Sequence, residues 1–231
     1  MIFRQLFDRT SCTYTYLLGC ERTAKAVLID PVIELVDRDL ELIGELGLTL
    51  AASVDTHVHA DHVTAASMLE DRTGCEVVYP ASAELEVRCR TLAHDAVLEV
   101  GDVRLRCLHT PGHTAGSACY LQEEAGRVFT GDTLLIRGCG RTDFQGGSAR
   151  TLYRSIHGHL FRLPDTTQVW PGHDYKGRTV STIGEEKAHN PRLKTGIDED
   201  AFVTIMENLG LAYPKMIDVA VPANRRLGEQ P

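Results

Sequence analysis

Between Thr56 and His62 the chain reads Thr56-His57-Val58-His59-Ala60-Asp61-His62, three imidazoles and one carboxylate in close succession. Packing alone gives no reason to gather so many polar side chains, each costly to desolvate. A metal ion does, because ligand bonds compensate that cost. Three later points add donors of the same kind: His113 after Thr110-Pro111-Gly112, Asp132 after Gly131, and His173 in Pro171-Gly172-His173-Asp174-Tyr175. The seven residues could form two adjacent metal sites or one site with a supporting shell. His57 and His59 are two apart and share a face in extended backbone, whereas Asp61 and His62 need a turn to reach the same ion. His94, His109, His157, His159 and His189 lie outside these motifs and are expected to be satisfied polar residues near the surface.

The elements that must position these donors can be read from periodicity. Thr13–Leu18 and Ala26–Asp30 are strand-like, the second ending at Pro31. Val36, Leu40 and Ile43 mark one face of a helix over 34–46, with Gly47 as its terminator. A strand over 48–54 then leads directly into the His57 motif. A helix over 63–71, a strand over 76–79, and a hairpin over 97–108 turning at Gly101-Asp102 bring the chain to His113. Strands over 117–121 and 127–130 precede Asp132. Helices are expected over 148–160, 182–189 (with Thr182 and Glu185 in a capping box) and 198–209, and a strand over 167–170 precedes His173. The tail from Tyr213 onward is punctuated by proline and is expected to lie across the surface. Every polar motif thus follows a strand, and strands alternate with helices in two similar halves. That pattern calls for two packed sheets flanked by helices.

The chain has 231 residues, is 43% hydrophobic and carries a net charge of −8. This suits one well-cored domain spanning 1–231. Without a basic stripe, neither nucleic acid nor an anionic membrane surface is an expected partner, and no apolar run is long enough to span a bilayer. The seven cysteines are an odd number without a Cys-x-x-Cys pair, which speaks for a reducing compartment rather than a disulfide framework. Met1–Phe7 does not read as a secretion signal, and no Ser/Arg-rich transit sequence is visible, so the expected location is cytoplasmic.

One further stretch has no packing rationale. Residues 138–147, Gly-Cys-Gly-Arg-Thr-Asp-Phe-Gln-Gly-Gly, hold four glycines and must form a loop whose backbone comes close to something. With this stretch the four motifs resemble the metallo-β-lactamase superfamily, whose signatures T-H-x-H-x-D-H, P-G-H-T, G-D and G-H-D occur here in order over 56–174. The resemblance implies an α+β fold, an αββα four-layer sandwich with metal at one edge. Gly131–Gln145, Pro171–Tyr175 with Val180–Thr182, Asn190–Leu193 and Asp218–Asn224 narrow it to the persulfide dioxygenase (ethylmalonic-encephalopathy protein) family. Gly172 stands where some members are expected to have Ala.

That family is similar to glyoxalase II in fold but binds one iron(II) per chain. The resemblance implies His57, His113 and Asp132 as ligands, a facial triad of two imidazoles and a carboxylate suited to a ferrous oxygenase. His59, Asp61, His62 and His173 would then orient those ligands and bond iron-bound water. The implied reaction joins glutathione persulfide and O2. The terminal sulfur takes both oxygen atoms, and the sulfinate so formed hydrolyses to sulfite and glutathione, as in sulfide detoxification. Arg141 would offer a planar donor to a glutathione carboxylate and Tyr175 a hydroxyl to its peptide part; Cys139, with no base nearby in sequence, reads as a small loop residue. A homodimer is the expected assembly, and a separate persulfide-generating or rhodanese-type enzyme the expected source of substrate. Two other readings compete: a glyoxalase II-like thioester hydrolase that fills a second metal site, and a non-catalytic persulfide or metal sensor.

Overall fold

The computed structural model describes residues 1–229. Six strands form the first sheet in chain order: β1 (Ile2–Phe7), β2 (Tyr14–Cys20), β3 (Lys25–Ile29), β4 (Thr49–Val54), β5 (Glu76–Pro80) and β6 (Arg90–Leu92). The β1–β2 and β2–β3 pairs are antiparallel; from β3 onward the pairing is parallel. Parallel neighbours need crossovers, and α1 (Val36–Glu45) and α2 (Ala66–Thr73) supply the first two. The second sheet holds β7 (Val97–Val100), β8 (Val103–His109), β9 (Ala118–Gln122), β10 (Arg127–Gly131), β11 (Gln168–Pro171) and β12 (Ser181–Thr182). It is antiparallel except for β10–β11, which α3 (Ala149–Gly158) connects. α4 (Ile183–His189), α5 (Glu199–Glu207) and α6 (Ile217–Asn224) complete the described chain.

Alternation along the strands builds the layers. On β2, Tyr14, Tyr16, Leu18 and Cys20 face the second sheet, where Leu105, Tyr120 and Phe129 meet them. Leu17 of the same strand joins Leu28, Val36, Ile43 and Leu69 beneath α1 and α2. On the far side Leu121, Val128 and Val169 pack against Leu152 and Ile156 of α3 and Phe202 of α5. The result is the expected αββα sandwich, and β2, covered on both faces, is buried along its whole length. Tyr16 and Phe129 approach to 4.9 Å between ring centroids, and the Tyr16 hydroxyl donates to the Pro171 carbonyl at 2.6 Å. The sheets are thereby tied together at the edge where the polar motifs gather.

The Thr182 cap accepts from the Glu185 amide at 3.1 Å, as its sequence suggests. Two short strands, β6 and β12, lack a periodic signature because they have only three and two residues. The tail differs more. Far from lying across the surface, it forms α6, which buries Ile217, Ala220, Ala223 and Asn224 beside the His57 motif. Pro222 looks like a helix breaker in the sequence. It removes one intrahelical bond, to Asp218 in the exposed first turn, and the buried stripe outweighs that loss.

Candidate metal centre

His57 leaves β4 after Asp55 and Thr56, His113 follows β8, Asp132 follows β10 and His173 follows β11. Four strand ends thus deliver the donors to one edge of the sandwich. His57, His113 and Asp132 form a cluster whose ligand atoms all lie within 4.8 Å of one another. The rings of His57 and His59 sit 4.1 Å apart, those of His59 and His62 4.3 Å, and those of His57 and His113 4.9 Å.

The tautomers of the two clustered imidazoles follow from their partners. Thr56 Oγ1 donates to Asp30 Oδ2 at 2.9 Å, so it accepts from His57 Nδ1, also at 2.9 Å. His113 Nδ1 lies 2.7 Å from the Arg141 carbonyl and can only donate there. Nε2 is the remaining ring nitrogen of each, and that of His113 lies 3.6 Å from Asp132 Oδ2. Fixing Nδ1–H on an oxygen is how proteins orient imidazole ligands. Burial, with His59 and His113 close by, holds His57 well below the usual imidazole range and therefore neutral. Two imidazoles and one carboxylate converging in this way fit a divalent metal ion.

His173 is engaged on both sides. Its Nδ1 lies 2.7 Å from Asp132 Oδ1 and its Nε2 2.8 Å from Asp61 Oδ2. Burial opposes its charge, but the two carboxylates outweigh burial and raise it well above the usual imidazole range. Asp132 and Asp61 are correspondingly held below the usual carboxylate range: burial opposes this, and His173 overcomes it, helped at Asp61 by His62. His62 Nδ1 meets Asp61 at 3.0 Å. His59 Nε2 is flanked by Asp30 at 3.1 Å and Asp55 at 3.4 Å. Burial acts against its protonation, yet Asp30 and Asp55 push it up to about 10. His59 Nδ1 and His62 Nε2 are buried with no hydrogen-bond partner.

Around these groups the glycine-rich loop is clamped from outside. Glu186 accepts from the Arg137 amide and from Asn190, Asn190 donates to the Gly138 carbonyl at 3.0 Å, and Arg192 donates to the Cys139 carbonyl at 3.0 Å. Asn190–Leu193 thus has a mechanical role, holding the loop on His113. The Cys139 thiol is buried and pushed up to about 11, in keeping with a small packing residue. The Arg141 guanidinium forms a fork on Asp143 (2.7 Å twice), donates to the Ala212 carbonyl at 2.7 Å and lies over the Phe144 ring at 4.6 Å. It borders a 430 Å³ cavity lined by Asp143, Arg150, Met206 and Glu207 among others. Tyr175 is 70% exposed and lies parallel to the His173 ring at 6.0 Å between centroids.

This geometry has counterparts. The model of the "Metallo-beta-lactamase superfamily" matches residues 12–88 and 90–173. The human protein "Persulfide dioxygenase ETHE1, mitochondrial" is 47% identical over all of this chain and 90% of its own length. The chain belongs to the persulfide dioxygenase family of the metallo-beta-lactamase superfamily. The "Crystal structure of ETHE1 from Myxococcus xanthus" superposes with a TM-score of 0.96 at 55% identity, over 99% of this chain and 100% of that one. A metallo-beta-lactamase from Staphylococcus aureus gives 0.89 at 27% identity, over 99% and 73%. Within this persulfide dioxygenase fold, several residues shape the centre through long-range contacts that their local sequence does not announce. Asp30 resembles any turn residue after a strand, Thr13 any strand threonine, and Asn224 lies in the tail. Gln145, whose amide donates to the Val58 carbonyl at 2.8 Å, hides among the glycines of its loop.

Proposed function

We propose that the chain is an iron(II)-dependent persulfide dioxygenase acting on glutathione persulfide and O2, with one iron per chain held by His57, His113 and Asp132. The supporting observation is the triad itself, two neutral-ready Nε2 atoms and one carboxylate converging, while both nitrogens of His173 are committed to Asp132 and Asp61. Ferrous iron, when bound, supplies open positions for a sulfur anion and O2 and the electron density that activates O2. Zinc has no redox chemistry to offer there.

The protein's own groups do the rest. Asp132 keeps one oxygen for the metal because the other is held by His173. The Arg141 carbonyl fixes the His113 tautomer, and the Arg141 guanidinium is the donor we assign to a substrate carboxylate. Tyr175, at the mouth over His173, is the group we assign to the peptide part. His59, Asp61 and His62 orient the turn and bond water near the metal. The net reaction consumes persulfide, O2 and water and yields glutathione, sulfite and protons. A homodimer and a separate persulfide-generating enzyme complete the reading. A cytoplasmic location rests on the seven free cysteines; "mitochondrial" is part of the human relative's name. Among the described residues no helix is long and apolar enough to cross a membrane.

The test is O2 uptake with glutathione persulfide by anaerobically iron-loaded protein, together with metal analysis. One iron per chain and stoichiometric sulfite are expected. Two metals per chain with turnover of S-lactoylglutathione would favour the thioester hydrolase instead, for which the unpartnered His59 Nδ1 and His62 Nε2 are the supporting observation. Arg141→Ala should keep its iron and raise KM, because it removes binding from the non-reacting end of the substrate. An unchanged KM would remove Arg141 from the substrate site.

A further inference from the structure

The turn that carries the first motif runs from Asp55 to Thr64 between β4 and α2, outside any strand or helix apart from an isolated bridge at Thr64. Its backbone groups therefore need partners from elsewhere. Tyr120 donates to the Asp55 carbonyl at 2.9 Å, the Ala118 amide to Thr56 at 2.9 Å and Gln145 to Val58 at 2.8 Å. The largest share comes from one side chain at the far end of the sequence. Asn224 Nδ2 donates to the His59 carbonyl at 2.9 Å and to the His62 carbonyl at 2.8 Å, and Asn224 Oδ1 accepts from the Thr64 amide at 2.9 Å.

Asn224 is fully buried, and both of its donors and its acceptor are used. Only a side-chain amide offers that combination at this size. The two carbonyls bracket Ala60 and Asp61, so the contact closes the turn that presents Asp61 to His173. α6 holds the bracket in place: Ala220 and Ala223 pack on Val63, and the Leu227 carbonyl accepts from the Ser67 amide at 2.9 Å.

We propose that Asn224 is a positioning residue for the metal centre, closing the His59–His62 turn so that His57 and Asp61 are held in register with His113, Asp132 and His173. The proposal rests on the assignment of the metal to His57, His113 and Asp132. Its structural consequence is reciprocal: docking of α6 tightens metal binding, and metal binding protects α6.

The test compares Asn224→Leu, which keeps the size and loses all three bonds, and the milder Asn224→Ser, with Val219→Gly, which weakens α6 from its exposed face without touching the bracket or its packing. Fe(II) affinity is measured anaerobically by competition with a chromophoric chelator, and amide hydrogen exchange is followed over residues 57–64. Asn224→Leu should weaken iron binding by about 10–100-fold, the range for residues that orient ligands. Asn224→Ser should fall in between, and both should speed exchange in the turn. Val219→Gly should lower the melting temperature slightly while leaving the iron Kd within about twofold of wild type. Wild-type iron affinity in both Asn224 variants, or an equal loss in Val219→Gly, would overturn the proposal. Absence of iron binding by the wild type would instead overturn the ligand assignment.

Discussion

Gly140 offers a direct test of whether the glycine-rich loop belongs to the metal centre. A methyl group added there would lie 2.4 Å from the Asp132 carbonyl oxygen, 2.7 Å from His113 Nδ1 and 2.9 Å from His113 Cγ. All three belong to residues of the proposed metal triad, and the nearest is backbone, so no flexible side chain can yield. Gly140 also donates its amide to that same carbonyl at 2.8 Å, a bond that is lost if the loop retreats. Relief needs a shift of most of an ångström, and such overpacking costs about 1–3 kcal/mol. For a chain of this size that lowers the melting temperature by about 2–12 °C. The retreating loop also draws the Arg141 carbonyl from His113 Nδ1, and lost orientation of an imidazole ligand weakens metal binding by about 10–100-fold. Gly138→Ala is the matched control: its methyl meets only Leu135 Cβ, at 3.9 Å. Neither glycine has a positive φ, so steric contact alone separates the two variants. The assay is anaerobic Fe(II) titration with thermal melting of both proteins. A Gly140→Ala protein that binds iron as tightly as Gly138→Ala would show that the glycine-rich loop does not shape the metal centre.

Two further outcomes follow from burial and linkage. Asp39 is buried with Oδ2 unpartnered; desolvation outweighs its pairing with Arg38 and raises it from 3.8 to about 6. The folded state therefore holds this proton more tightly than the unfolded chain does. Stability falls as pH rises from about 4 to about 6 and stays reduced above that window. Asp39→Asn removes the penalty and should be more stable than wild type at pH 7.5 by about 1–3 kcal/mol, with the difference vanishing near pH 4; denaturant melts at the two pH values measure this. Iron at about 100 times its Kd should stabilise the folded protein by about 2.7 kcal/mol, raising the melting temperature by about 5–11 °C, and a chelator should reverse the shift. Iron-loaded and chelated protein melting together would exclude a ligand set on the folded state.

Most of the architecture is legible in the sequence because it rests on local signals. The period-2 pattern of Tyr14, Tyr16 and Leu18 and the Val36, Leu40, Ile43 stripe each state their own burial. The metal motif is legible for a different reason: His57, His59, Asp61 and His62 lie in one short turn, too dense for packing to explain. What the sequence does not display is what holds that turn. Thr13, Asp30 and Asn224 reach it from β2's edge, β3's end and α6, and a single threonine, aspartate or asparagine has no local pattern to announce a long-range bond. α6 itself was hidden by Pro222, since local propensity speaks for a break while the buried Ile217, Ala220, Ala223 stripe speaks for a helix. Tertiary packing decides between them.

The same long-range contacts bear on the number of metal ions. A second ion would draw on the neighbouring cluster of His59, Asp61 and His62, whose ligand atoms lie within 4.8 Å of one another. In this chain His173 has no free nitrogen, since Asp132 and Asp61 take both. Thr13 Oγ1 stands within hydrogen-bonding distance of Asp61, His62 and His173: 3.1 Å from Asp61 Oδ2, 3.3 Å from His62 Nδ1 and 3.0 Å from His173 Nε2. Its own position is set by Ser11, at 2.6 Å, which Asp8 in turn holds at 2.6 Å. A second ion on that cluster would find His59 Nδ1 and His62 Nε2 unpartnered but would share Asp61 with His173 and Thr13. Binding the first ion breaks nothing of this network, because Asp132 keeps Oδ1 on His173 while Oδ2 faces His113. The proposed single ion on His57, His113 and Asp132 is therefore distinguished from a two-ion site by metal analysis, with Asp61 and His173 already paired to each other at 2.8 Å beside it.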